Sequence, residues 1–239
     1  MIRSIIVELV ELKTVRNILK VDIAFTVILI TGFQRITNNK LVMNKIDLNA
    51  LRDRAYKTAC EHGFHDTELS NEHCFCLVIS ELMEAVEADR KNRHFDKEKY
   101  KIGEYAECQG WLTNEEKFIN VFNRYIKDTI EDELSDAVIR LLDLAGMRNI
   151  SLEIATKEIG DCIDDMAESC KDETFTESIY AISTLPVRYD GLYDFHTTIN
   201  DMVLSIFGLA KHLEIDLLWH IEQKMKYNKF RNKMHGKKY

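Results

Sequence analysis

Apolar residues recur at helical spacing through most of this chain, and alternation of the strand kind is scarce. Leu48, Leu51, Ala55 and Ala59 mark a first helix over residues 47–62, closed by His62-Gly63-Phe64-His65 with Gly63 at the stop. Ser70 or Asn71 caps a second helix, from about Glu72 to Arg90. Residues 91–105 are charged and poorly periodic, the pattern of a loop or short helix. Thr113-Asn114-Glu115-Glu116 is a capping-box pattern, beyond which Phe118, Val121, Phe122, Tyr125 and Ile126 keep helical spacing. Ile130, Leu134, Ala137, Val138, Leu141 and Leu142 carry the next helix to near Ala145-Gly146. Ser151 caps another, to about Cys162. An acidic stretch over 164–177 and an apolar one from Ile179 to Leu185 lead to Pro186, which breaks the chain. Residues 198–213 form an amphipathic helix, and Asp216 caps the last one, Leu217 to about Arg231. The expected fold class is all-α, a helical bundle.

One proline and nine glycines suit long helices and few tight turns. A net charge of −8 argues against a general nucleic-acid binder, so no stable nucleic-acid complex is expected. The six cysteines lack zinc-ligand spacing, since Cys74 and Cys76 have one residue between them and no second pair follows. Reduced thiols in a cytoplasmic protein are the simple reading. Residues 1–42 differ from the rest. Their apolar run, Ile23 to Thr31, is about nine residues long, against the roughly 20 that span a bilayer. No A-x-A-like cleavage site follows it, so no membrane association is expected. The division is an N-terminal appendage over 1–42 and a helical domain over 43–239.

Candidate chemistry lies in two stretches, Ile79 to Ala88 and Ile130 to Val138. Glu81 and Glu84 are three apart, as are Glu133 and Asp136, so each pair projects from one face of its helix. Acids so spaced are common on solvated faces. Here, however, Leu77, Val78, Leu82, Ala85 and Val86 leave the first pair at the margin of an apolar stripe, and the second helix repeats the arrangement. Packed side by side, the two helices would bring four carboxylates together. Such crowding is costly unless a hard divalent cation neutralises it, and Mg²⁺, or Mn²⁺ in its place, accepts carboxylate oxygens, water and phosphate. From Asp128 to Asp136, both included, there are five acids and no base, which fits a cation site, with Glu131 and Asp132 read as pointing to water.

The chain from Lys224 to Tyr239 is rich in lysine and arginine and has no acid. A solvated basic tail is the plain reading; the functional one is a phosphate clamp, since Lys224, Asn228 and Arg231 fall at i, i+4 and i+7, one face of a helix. A weaker internal echo aligns Asp136–Ala145 with Asp201–Ala210, and then Ile150 with Ile215 and Leu152 with Leu217. It suggests a degenerate duplication in which Thr198 stands where the first copy has Glu133.

With these motifs in order, the chain resembles the MazG-like, all-α nucleoside triphosphate pyrophosphohydrolases. Glu81 and Glu84 match the family's E-x-x-E pair, and Glu133 and Asp136 its E-x-x-D pair. His62-Gly63-Phe64 is similar to the "HGF" before the first pair, and residues 224–237 to its closing K-M-x-Y-N-x-x-R and H-G-K. The resemblance covers roughly residues 48–146 and 214–239. It departs over about 150–213, where some 60 extra residues separate the second acid helix from the tail. The resemblance implies Mg²⁺-dependent cleavage of a nucleoside triphosphate between the α- and β-phosphates. Glu81, Glu84, Glu133 and Asp136 would hold the metal, with Glu81 or Glu84 as the base. Lys224, Tyr227, Asn228 and Arg231 would bind the substrate. The extra span would make the chain an internal pseudo-dimer, metal-binding over 43–149 and carrying the basic motif over 150–239; a homo-oligomer is the other arrangement.

Three other readings stand beside this one. A di-iron carboxylate bundle needs Glu-x-x-His pairs, and positions 84 and 136 hold Glu and Asp instead. A non-catalytic helical interaction module would carry a vestigial metal site. A dUTPase- or dCTPase-like specificity would fit within the same fold.

Overall fold

The structure, a computed structural model, describes residues 47–152, 159–188 and 194–236. Nine α-helices lie among them: α1 (Leu48–Glu61), α2 (Asn71–Arg90), α3 (Lys97–Cys108), α4 (Asn114–Tyr125), α5 (Ile130–Met147), α6 (Ile159–Ser169), α7 (Phe175–Ser183), α8 (Phe195–His212) and α9 (Leu217–Lys229). No strand occurs among the described residues, so the all-α expectation holds. The appendage expected over 1–42 lies outside the described residues, as does the chain around the start expected for the Ser151-capped helix.

Local chemistry starts the helices where short polar side chains meet the first free N–H groups. Asp47, Ser70, Asp96, Thr129, Asp194 and Asp216 each accept from a backbone N–H in the first turn. Thr113 and Glu116 form the full capping box foreseen for α4. A second box, Thr174 with Glu177, opens α7 inside the stretch that reads only as acidic in the sequence. Of the two readings of the charged stretch, loop or short helix, residues 97–108 take the second as α3, and α6 runs on to Ser169, past Cys162.

α5 is the axis of the fold. It packs against α1, α2, α8 and α9, and its apolar residues from Ile130 to Ala145 are buried around most of its circumference. α2 runs antiparallel to it, with the register fixed at both ends. Arg148, just past α5, donates to Asn71 Oδ1 (2.7 Å) and the Leu69 carbonyl (2.5 Å) at the start of α2. Ile130 N–H donates to the Arg93 carbonyl (3.1 Å) just past the end of α2. Between these ties the acids of α2 must lie opposite those of α5.

A second pair, α6 and α8, packs alongside, with α8 against α5 and α7 against α2 and α8. Glycine permits the closest approaches. A Cβ on Gly146 of α5 would fall 2.5 Å from Tyr56 Cβ of α1, and one on Gly208 of α8 would fall 2.3 Å from Met166 Cβ of α6. A smaller aromatic core, with Tyr100, Val121, Phe122 and Ile126 at its centre, joins α3 and α4 to Trp219 and Tyr227 of α9. No helix among the described residues is long and apolar enough to cross a membrane.

Candidate metal centre

The antiparallel register brings Glu81 and Glu84 of α2 to Glu133 of α5. One carboxylate oxygen from each lies within 4.8 Å of the other two. Glu81 and Glu133 are buried, and Glu84 is exposed. A group of three carboxylates at this spacing suits a hard divalent ion, whose charge would offset their repulsion.

The electrostatics show what the cluster costs without a cation. Burial pushes the Glu133 carboxyl up to about 9, and the charge of Asp132 adds to the effect. Burial and the charge of Asp136 likewise raise Glu81. Arg140 of α5 opposes that rise by gripping Glu81 Oε1 with Nε at 2.6 Å and Nη2 at 2.5 Å. The sequence reading passed over Arg140, although Asp136, Arg140 and Asp143 sit at i, i+4 and i+7 on one face of α5.

Asp136 stands differently from the other three acids. Its Oδ2 is 2.8 Å from Lys224 Nζ, which lies an equal 2.8 Å from Asp132 Oδ1. Lys224 is only 5% exposed and Asp132 only 1%, so this is an internal ion triad. Burial works against the charge of Lys224, but the attraction of Asp136 and Asp132 outweighs it and holds the ammonium above the usual lysine range. The expectation that Glu131 and Asp132 point to water is corrected. Both are buried, because α5 is covered on nearly every side, including by α9. Glu131 Oε2 accepts from Phe95 N–H at 2.9 Å, and Asp132 Oδ2 from Asp128 N–H at 3.0 Å.

The basic tail is likewise turned inward. Tyr227 stacks on Phe122, ring centroids 4.2 Å apart, and donates its hydroxyl to Asn123 Oδ1 at 2.9 Å. Asn228 is buried, and its Oδ1 has no hydrogen-bond partner. α9 ends at Lys229, so Arg231 lies just beyond the helix instead of on its face. His62 Nε2 bonds to the Arg231 carbonyl (3.1 Å), Met234 N–H to the His62 carbonyl (2.9 Å) and Lys233 Nζ to Asp66 Oδ2 (2.7 Å). The turn around Gly63 has φ +80°, a conformation that favours glycine, and the Lys233 side chain lies against it. The two sequence motifs farthest apart, His62-Gly63-Phe64 and the C-terminal tail, therefore meet.

Between α1, α2, α5 and α9 lies a cleft of about 100 Å³. Thr58, Phe64 and Leu77 line it, together with Asp136, Arg140, Asp143, Asn228 and Arg231. Asp136 and Arg140 connect it to the acid cluster, since Arg140 also holds Glu81. On the cleft's side of α5, Asp143 Oδ1 is 2.7 Å from His65 Nε2, and burial raises its pKa against the pull of that histidine. Asp143 is marked in the sequence only by its helical offset from Asp136, and His65 only by its place in the stop after the first helix.

Compared with protein-family models, curated proteins and solved structures, the chain has no match among them.

Proposed function

We propose that the protein is a Mg²⁺-dependent nucleoside triphosphate pyrophosphohydrolase that releases a nucleoside monophosphate and pyrophosphate. The observation that carries this reading is the convergence of Glu81, Glu84 and Glu133 beside a cleft that shares Asp136 and Arg140 with them. Glu81, Glu84, Glu133 and Asp136 would hold the cation. When bound, it would neutralise phosphate charge and lower the pKa of a water molecule. The donors that converge fit, because Glu81, Glu84 and Glu133 offer hard carboxylate oxygens only, and Asp136, outside that group of three, would complete the set from beside it.

The chain's own residues divide the remaining work. Arg140 fixes Glu81, and Glu84, the exposed member, is the carboxylate best placed to take a proton from an attacking water. Breaking the α–β anhydride bond leaves pyrophosphate, whose charge Arg231 at the cleft can offset. Asn228, with its carbonyl oxygen unpartnered, offers an acceptor to a donor group on the nucleoside. Incubating the protein with a panel of ribo- and deoxyribonucleoside triphosphates tests the reading. Mg²⁺-dependent monophosphate and pyrophosphate are the expected products, and no hydrolysis or release of phosphate would contradict it.

The same reading includes an internal pseudo-dimer, in which the α6–α8 pair mirrors the α2–α5 pair. Supporting it, α8 packs on α5, and both helices end in the same turn. Asn149 (φ +53°) and Glu214 (φ +58°) occupy equivalent positions, and Ile150 N–H to Ala145 and Ile215 N–H to Ala210 both measure 2.8 Å. Thr198 replaces Glu133 in the second copy, so one metal site would survive in each chain. A monomer of full activity is the expected solution state.

A further inference from the structure

The triad Asp132–Lys224–Asp136 has no place in a phosphate clamp. A lysine ammonium has three N–H donors, and Lys224 directs two of them to Asp132 Oδ1 and Asp136 Oδ2, each at 2.8 Å. It sits within 5.6 Å of the Phe122 ring, which Tyr227 covers by stacking. Lys224 does not line the cleft, so to reach a phosphate there the ammonium would have to move off Asp132. That carboxylate is 1% exposed, and an unpaired buried charge is strongly unfavourable. Nor can Asp132 itself turn to a cation. Its Oδ1 is held by Lys224 and its Oδ2 by the Asp128 N–H, in a turn where Asp128 has φ +57°.

The acids of the site fall into two kinds. Glu81 and Asp136 are each gripped by a cation of the protein, Arg140 and Lys224 respectively. Glu84 and Glu133 take part in no ion pair among the described residues. A carboxylate held by a buried cation is fixed in place, which is how supporting residues orient the ligands of a metal, and the charge of Asp136 is near enough to act on both Glu81 and Glu133.

We propose that Lys224 and Asp132 are positioning residues that hold the carboxylate of Asp136 toward the acid cluster, and that Lys224 does not bind substrate. This rests on the metal-centre reading and deepens it. Asp132 is the anchor, fixed by the turn before α5. Lys224 is the link, and Asp136 is the group presented. The third donor of Lys224 does not alter the arrangement, because withdrawing the ammonium would release Asp132 and Asp136 together.

The test is Mn²⁺ binding without nucleotide, measured by calorimetry on the full chain for wild type, Lys224→Met, Asp132→Asn and the double variant. Steady-state kinetics with a nucleoside triphosphate accompany it. Each single variant is expected to weaken Mn²⁺ binding by about tenfold or more, as loss of a supporting partner does at metal sites. The double variant should be no worse than the weaker single one, since both break one chain of contacts. Unchanged Mn²⁺ binding in Lys224→Met and Asp132→Asn, with a raised KM for nucleotide in the first alone, would restore Lys224 as a phosphate ligand and overturn the inference. If Lys224→Met does not fold, as circular dichroism would reveal, the nearly isosteric Asp132→Asn decides by itself. Wild-type protein that takes up no Mn²⁺ would overturn the metal-centre reading and this inference with it.

Discussion

Arg140 on α5 binds Glu81 on α2 through a single carboxylate oxygen, with Nε 2.6 Å and Nη2 2.5 Å away. The pair joins the two acid-bearing helices at the cluster itself. Glu81 is 3% exposed, so it cannot turn to water if the guanidinium is removed. Arg140→Ala is therefore expected to destabilise the protein by about 3 kcal/mol, the cost typical of stranding a buried charge. Lysine at this position keeps the charge but loses the two-nitrogen grip, and should recover only part of the loss. Urea unfolding with Mg²⁺ absent measures both.

Single replacement of Glu81, Glu84, Glu133 or Asp136 by the corresponding amide should lower turnover by orders of magnitude while the helical content remains. Glu133→Gln should also raise stability in the absence of metal, because it removes a carboxylate that is buried near Asp132 and Asp136. Nucleotide turnover and thermal unfolding on the same four samples give both answers. Wild-type turnover in any one variant would remove that residue from the site.

A pH dependence follows from Glu133. Its carboxyl rises from 4.5 to about 9 in the folded protein, chiefly through burial. Without metal, the folded chain therefore keeps a proton that the unfolded chain releases. Stability is then fullest below about pH 4.5 and is lost as pH rises toward 9. A cation takes the place of that proton, so its affinity should increase with pH over the same window, and saturating Mg²⁺ should flatten the loss. Unfolding at pH 5.5, 7 and 8.5 with chelator and with Mg²⁺ checks the sign. Glu133→Gln should reduce the difference, leaving the smaller part that comes from Glu81 and Asp132, which are raised as well.

Asn228 separates stability from binding. Its buried Oδ1 has no partner within the protein, so replacing the amide with an apolar group of similar size costs the fold little. Asn228→Leu should leave the melting temperature within a few degrees of wild type and raise KM for nucleotide by about tenfold or more, the loss expected when a ligand's buried hydrogen bond goes unmade. Arg231→Ala should raise KM as well. An unchanged KM in both would leave the cleft without a role in binding.

The helices and the acid pairs were legible in the sequence because both depend on local spacing. The apolar positions of α2 and α5 recur every three or four residues, and Glu81/Glu84 and Glu133/Asp136 are one turn apart. What escaped depends on contacts from distant parts of the chain. Asp132 looks like a solvated acid until α9 covers that side of α5 and delivers Lys224. Lys224 in turn reads as part of a basic tail, and only its neighbours in space make it an internal counter-charge. Arg140 and Asp143 carried a usable signal, since they repeat the face of Asp136 at i+4 and i+7. The capping box Thr174–Glu177 was also visible and was obscured by the acids around it.

The central claim is that Glu81, Glu84 and Glu133 hold a divalent cation beside the cleft. Crystals grown with Mn²⁺ test it most directly, through the anomalous signal of the metal. The account predicts one strong peak among the three carboxylates, about 2.1 Å from their nearest oxygens, with Asp136 adjoining it. A map with no peak at that place, in crystals where Mn²⁺ is seen elsewhere on the protein, would contradict the account.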